Sequence, residues 1–333
     1  MTTLIGEAAA PPRRPRLGPG VLGPRELSSV VIWLVLLLVP LWLPAIGGYT
    51  DLATRVLIFA MAATGLNLLL GQTGGLSFGH AAYFGLGTYG TGLFLIHVLP
   101  SLPLAILAGT LLGGVAAILV GPMVMKRRGI YFSMITIAFG QMFYFVAVRW
   151  NGLTGGEDGL TGFSRVPLHI GGHAFKLGSS GFYYLVFGLF ALVMLIVWQI
   201  LRSPLGHGFV AARENATRLR FLGVSVQRQI WVSFAISGFI AALAGSLQSL
   251  LVSFTSPASL QWQLSGELVV MCVLGGMRSF WGPALGALIF IAAQDYLSSI
   301  TQNWMTFIGL IFVLAVLFFP NGLLGFIKGR ARS

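Results

Sequence analysis

Apolar stretches recur along this chain at close to the ~20 residues that a helix needs to cross a bilayer, and that repetition excludes most folds. They run from Ser28 to Ile46, Ala53 to Gly71, His80 to Val98, Leu102 to Met125, Ile130 to Val148, Phe182 to Leu201, Ile230 to Val252, Leu264 to Met277, Trp281 to Ser299 and Trp304 to Phe319. The stretch from Leu264 is too short to span untilted and reads as a re-entrant or broken element. Only 8% of the residues are charged against 56% hydrophobic, too little polar surface to solvate a soluble particle of this size. The expected fold is an all-α polytopic membrane protein of about ten transmembrane or re-entrant helices.

Charge placement orients the chain, because cytoplasmic loops carry the Lys and Arg excess. With the N-terminus inside, 16 of the 20 basic residues fall inside, and only Arg55, Arg149, Arg165 and Lys176 fall outside. This favours ten spans with both termini cytoplasmic over nine or eleven. The same placement argues against a nucleic-acid partner despite the net charge of +12, since the cations sit at the ends of apolar runs and not along one exposed face. The division expected is a cytoplasmic tail over residues 1–27, a transmembrane domain over 28–320 and a cytoplasmic tail over 321–333. No cleavable signal peptide is apparent, so the first run reads as a retained span. Two connections exceed simple links. The outer one, residues 150–181, is glycine-rich; the inner one, residues 202–229, is basic with helix-forming stretches. A long loop on each side suggests a docking surface on each side.

Gly65 to Gly92 holds nine glycines. So many at membrane depth suggest a broken helix that lines a path, or close helix packing, and both can hold together. A weaker echo at Gly275 to Gly282 hints at two related halves. In the fifth run Ser133, Thr136, Gly140 and Tyr144 share one helical face, expected to turn inward. Asp51, Glu267 and Asp295 fall near outer ends, leaving no carboxylate placed at mid-membrane. That counts against an ion-coupled secondary transporter. Ser77 and His80 lack an orienting acid nearby, so a structural role outweighs a nucleophile–base pair. Cys272 is the single cysteine and has no disulfide or metal-cluster partner. Lys126, Lys176 and Lys328 are followed by Arg, Leu and Gly, so no phosphate-binding loop ending in Lys and Ser or Thr is present. If ATP drives the protein, another subunit binds it.

Several segments resemble the permease family of high-affinity branched-chain amino-acid ATP-binding-cassette importers, in particular its LivM-type subunit. They are Gly71 to Ala82, Arg128 to Phe139, Leu153 to Leu160, Arg213 to Asn215 with Leu222 and Gly223, and Val273 to Gly276 with Trp281 to Pro283. The resemblance implies a multi-pass permease of the bacterial inner membrane, paired with a LivH-like second permease subunit. It also implies two cytoplasmic ATPase subunits, which carry the ATP and magnesium, and a periplasmic or lipid-anchored solute-binding protein. No cofactor is expected in this chain, whose only other partner is membrane lipid. The expected cargo is an amino acid, branched-chain first, with urea, amides or aromatic acids as the alternatives within the family. The substrate pathway is expected at Gly74, Gly75, Ser77, Gly79, Ser133, Thr136 and Gly140, and ATPase coupling at Arg213, Glu214, Asn215 and Gly223. The importers' coupling pattern places a glycine six residues after its glutamate; here Gly223 comes nine after Glu214.

Overall fold

The computed structural model describes residues 24–43, 47–127, 129–170, 173–175, 177–277, 279–318 and 322–323. Most of both expected tails lies outside them, as do Arg128, Lys176 and Arg278. In chain order the helices begin with α1 (Pro24–Trp42), α2 (Thr50–Asn67) prolonged by a π-helical stretch (Leu68–Thr73), α3 (His80–His97), α4 (Leu102–Val124), α5 (Ile130–Arg149) and α6 (Asn151–Thr154). Then come α7 (Ser179–Arg202), α8 (Pro204–Glu214), α9 (Ala216–Phe221), α10 (Val226–Val252), α11 (Trp262–Gly275), α12 (Gly282–Ile300) and α13 (Trp304–Phe318). Each apolar run is thus helical, and α1 starts at Pro24, inside the segment expected as tail. Among the described residues six helices are long and apolar enough to cross a membrane: α2 with its extension, α4, α5, α7, α10 and α12. With 14 residues, α11 reaches only about 21 Å, short as its sequence suggested. The long loop between α6 and α7 adds a small antiparallel hairpin, β1 (Leu168–Ile170) with β2 (His173–Phe175).

Burial separates a central helix from a perimeter. The most apolar window of α2 and its extension is 83% buried within the chain, against 28% for α5, α7 and α12. Ile58, Met61 and Leu66 are fully enclosed, while Leu107, Leu119, Met134, Phe145, Leu195 and Leu317 stand exposed. On a soluble protein that much outward apolar surface would be a liability; on membrane-crossing helices it suits contact with lipid. Lipid removes the hydrophobic drive between helices, so close packing must hold them together. A Cβ on Gly87 would fall 2.1 Å from the Ala242 carbonyl, and one on Gly245 would fall 1.9 Å from that of Phe84. Backbones of α3 and α10 therefore touch directly.

Two interlocked broken units form the core. From a pole that holds Asp51 and Asp295, α2 runs to a pole that holds Arg127 and Arg213, and α10 runs the opposite way. Each ends in a break, residues 74–79 and residues 253–261, from which the chain turns back as α3 and α11. Each returning helix packs on the leading helix of the other unit. Thus α3 lies on α10, and α11 lies on α2, where Cys272 Sγ donates to the Ala63 carbonyl at 3.2 Å. The returning helices meet where the Ala81 amide donates to Ser265 Oγ at 2.8 Å. The echo at Gly275 to Gly282 forms the turn from α11 into α12. A Cβ on Gly275 would sit 1.8 Å from the Gly282 carbonyl, so these glycines serve close approach.

Candidate functional site

The first break, residues 74–79, starts where the π-helical stretch stops. Gly74 has φ +80°, a left-handed cap that side chains disfavour, and the Gly75 amide donates to Leu69 O at 3.1 Å. The polar face of α5 then grips the segment. Ser133 Oγ donates to Leu76 O at 2.6 Å, and Thr136 Oγ1 accepts from the Phe78 amide at 3.3 Å. A Cβ on Gly79 would fall 2.2 Å from Thr136 O, and one on Gly140 would sit 3.6 Å from the Gly79 Cα. All seven pathway candidates are therefore gathered in one place, with the α5 hydroxyls committed to the backbone of the break.

Ser77 and His80 begin a buried chain whose donors can be assigned. Ser237 Oγ donates to Gly65 O at 2.6 Å, so it accepts from His80 Nε2–H at 2.6 Å. His80 Nδ1 is left to accept from Ser77 Oγ at 2.8 Å. All three side chains are fully buried. The chain ties α3 through α10 to α2 with neutral groups, which suits a low-dielectric interior. No carboxylate among the described residues bonds His80, in keeping with a structural role.

The coupling candidates divide. Arg213, near the end of α8, donates from Nη1 to the Gly71 carbonyl, and its Cγ lies 2.8 Å from where a Gly74 Cβ would be. Glu214 is exposed, 3.8 Å from Arg213 Nη2. Asn215 Oδ1 accepts from the Arg218 amide at 2.9 Å and caps α9. Gly223, at φ +77° with open space around it, makes the turn into α10. So Arg213 reaches the break, Glu214 faces outward, and Asn215 and Gly223 shape the loop. Between loop and break lies a cavity of about 130 Å³ lined by Gly74, Gly75, Arg127, Phe132, Ala212 and Arg213.

Sequence reasoning treated pathway and coupling as two sites, and the fold brings them together. Sequence reasoning also passes over Phe221 and Leu222, 86% and 74% exposed where α9 ends. Their signal was available as an apolar pair between Arg220 and Gly223 in an otherwise basic segment. Among the described residues no group of three His, Cys, Asp or Glu side chains can hold a metal ion.

Residues 48–316 match the permease component of branched-chain amino acid transport systems. The chain belongs to that family. It is 30% identical over 302 residues to the high-affinity branched-chain amino acid transport system permease protein LivM of Escherichia coli K12, covering 83% of this chain and 70% of LivM. The autoinducer 2 import system permease protein LsrC of Salmonella paratyphi B is 29% identical over 236 residues, 67% of this chain and 64% of LsrC. The ribose import permease protein RbsC of Haemophilus influenzae is 27% identical over 199 residues, 56% of this chain and 57% of RbsC. No solved structure matches. As a permease component the chain is a membrane transport subunit and not an enzyme.

Proposed function

We propose that this chain forms half of the translocation pathway of an ATP-binding-cassette importer for branched-chain amino acids in the bacterial inner membrane. A LivH-like permease supplies the other half, two cytoplasmic ATPases bind ATP and magnesium, and a periplasmic or lipid-anchored protein delivers the solute. Both termini and the loop carrying α8 and α9 face the cytoplasm, with ten transmembrane or re-entrant helices between them. The observation that carries this reading is the contact of Arg213 with Gly71, beside Gly74 and Gly75. A basic loop suited to an ATPase cleft is bonded directly to the end of the central helix. Movement of that loop must therefore reach the break. An amino acid in transit must hide an ammonium and a carboxylate, and dipoles at helix breaks accept both without a fixed buried charge. Permeases for autoinducer 2 and ribose are also relatives, so the captor of the solute and not this scaffold sets the cargo.

Uptake of labelled leucine into proteoliposomes holding the full complex tests the assignment. ATP-dependent accumulation that stops when the binding protein is left out is expected. Accumulation driven by an ion gradient with this chain alone would overturn it. For orientation, Cys272→Ser with single cysteines at Ser180 or Ser203 is expected to label from outside only at position 180. External labelling at position 203 would refute the inner placement of the loop.

A further inference from the structure

The two poles carry the same device. At the inner pole an arginine of the long loop, Arg213, donates to the Gly71 carbonyl near the end of the helix that leads into residues 74–79. At the outer pole an arginine of the other long loop does the equivalent for α10. Arg165 donates from Nε to Leu250 O at 3.0 Å and from Nη2 to Leu251 O at 3.1 Å. These carbonyls belong to the last turn of α10, where acceptors are unpaired and the helix end is negative, so a guanidinium both satisfies and neutralises them. The same guanidinium lies 4.7 Å from the Phe182 ring centroid and 3.9 Å from Asp51 Oδ1, which anchors it to the starts of α7 and α2. Five residues earlier the loop pairs with the break itself: the Leu160 amide donates to Thr255 O at 2.8 Å, and the Thr255 amide to Leu160 O at 3.1 Å. Ser253, at φ 56°, is the only non-glycine residue of positive φ among the described residues. That backbone strain sits directly after the turn that Arg165 holds.

We propose that Arg165 is the positioning residue of the outer gate, the latch by which the outer loop holds residues 253–261 shut, as Arg213 holds the inner break. A protein that docks on the outer loop draws Arg165 off the α10 carbonyls and frees the strained segment. The identity of that docking protein as the solute-binding subunit rests on the importer reading; the latch itself does not.

The test reads the break directly. In the purified full complex, Cys272→Ser keeps a hydroxyl donor toward Ala63, and Thr255→Cys places a thiol at a position that is 1% exposed. With Arg165 intact, labelling by a maleimide is expected to be slow. Arg165→Gln is expected to speed it at least tenfold, with Arg165→Lys between the two, because an ammonium cannot span both carbonyls as the guanidinium fork does. Equal labelling rates for the parent and Arg165→Gln would overturn the latch. Should Arg165→Gln fail to assemble, Asp51→Asn loosens only the second anchor and is expected to raise labelling about threefold; no change there would overturn the latch as well. A separate readout is ATP hydrolysis stimulated by leucine-loaded binding protein, where Arg165→Gln is expected to lower the stimulated-to-basal ratio about fivefold with basal hydrolysis retained. A parent complex that shows no stimulation would count against the importer reading, and the thiol rates would then decide the latch alone.

Discussion

Residues 74–79 and residues 253–261 interrupt two antiparallel core helices and turn the chain back, yet they are built from different residues. In the inner break Gly74 supplies a left-handed cap, and Gly79 lets α5 lie against the chain, where a Cβ would fall 2.2 Å from a backbone carbonyl. At the outer break the glycine of close approach lies on the neighbour instead, since a Cβ on Gly159 would fall 2.3 Å from Thr255 O. Ser253 turns the chain, Pro257 opens a single turn of 3-10 helix through Leu260, and Thr255 keeps its side chain buried with a hydrogen bond to Thr88 O at 3.3 Å. Close backbone approach at a break thus calls for glycine on only one of the two partners, within the break at Gly79 and outside it at Gly159.

The largest expected effects test that distinction. At Gly79 the obstacle is backbone, which cannot move aside cheaply, so Gly79→Ala overpacks the core by about 1–3 kcal/mol. Reduced recovery of the assembled complex on co-purification is expected. At Gly75 the neighbours of a Cβ are side chains, Leu69 Cδ1 at 3.1 Å and the Phe132 ring at 3.3 Å, and open cavity lies beside them. Gly75→Leu is therefore expected to assemble yet abolish leucine uptake. Normal uptake by that variant would place the pathway elsewhere, and failure to assemble would make Gly75 a packing residue like Gly79.

The loops that serve the two breaks also differ in what they present. The outer one shows the exposed acids Glu157 and Asp158, whereas the inner one shows Phe221 and Leu222. Buried apolar anchors contribute more at an interface than rim charges do. Phe221→Asp is accordingly expected to cut solute-stimulated ATP hydrolysis about tenfold with insertion intact, and Glu214→Lys, altering a charge exposed at the rim, about threefold. A stronger effect from Glu214→Lys would mean that the ATPase seats on the end of α8 and not on the loop tip.

Why one half of the core was legible and the other was not follows from the same residues. Nine glycines between Gly65 and Gly92 announce a break, and the polar spacing of Ser133, Thr136 and Gly140 announces the face that meets it. The run of small and polar residues from Ser253 to Gln261 reads as an ordinary loop, and the weak echo of the glycine-rich segment falls instead at Gly275 to Gly282. Contacts between distant segments left no local trace either. Arg165 reads as a loop cation that orients a membrane protein and Arg213 as a coupling residue, and only the fold shows each one bonded to the end of a core helix.

The smallest expected effect separates the path from its frame. Ser77 belongs to the inner break, but its hydroxyl is fully buried and donates to His80 Nδ1 at 2.8 Å. Ser77→Ala leaves that nitrogen without a donor, and an unmet buried acceptor costs about 1–3 kcal/mol. A change of tautomer does not remove the cost. If His80 carried its proton on Nδ1, that N–H would have lost the Ser77 oxygen it needs as acceptor, so an unmet donor would replace the unmet acceptor. The break is then held less firmly while every glycine that shapes it is unchanged. Uptake is expected to fall about threefold, with assembly and the affinity for leucine-loaded binding protein unaltered. Loss of uptake as complete as in Gly75→Leu would put the Ser77 hydroxyl on the solute itself, and the inner break would then differ from the outer one in chemistry as well as in shape.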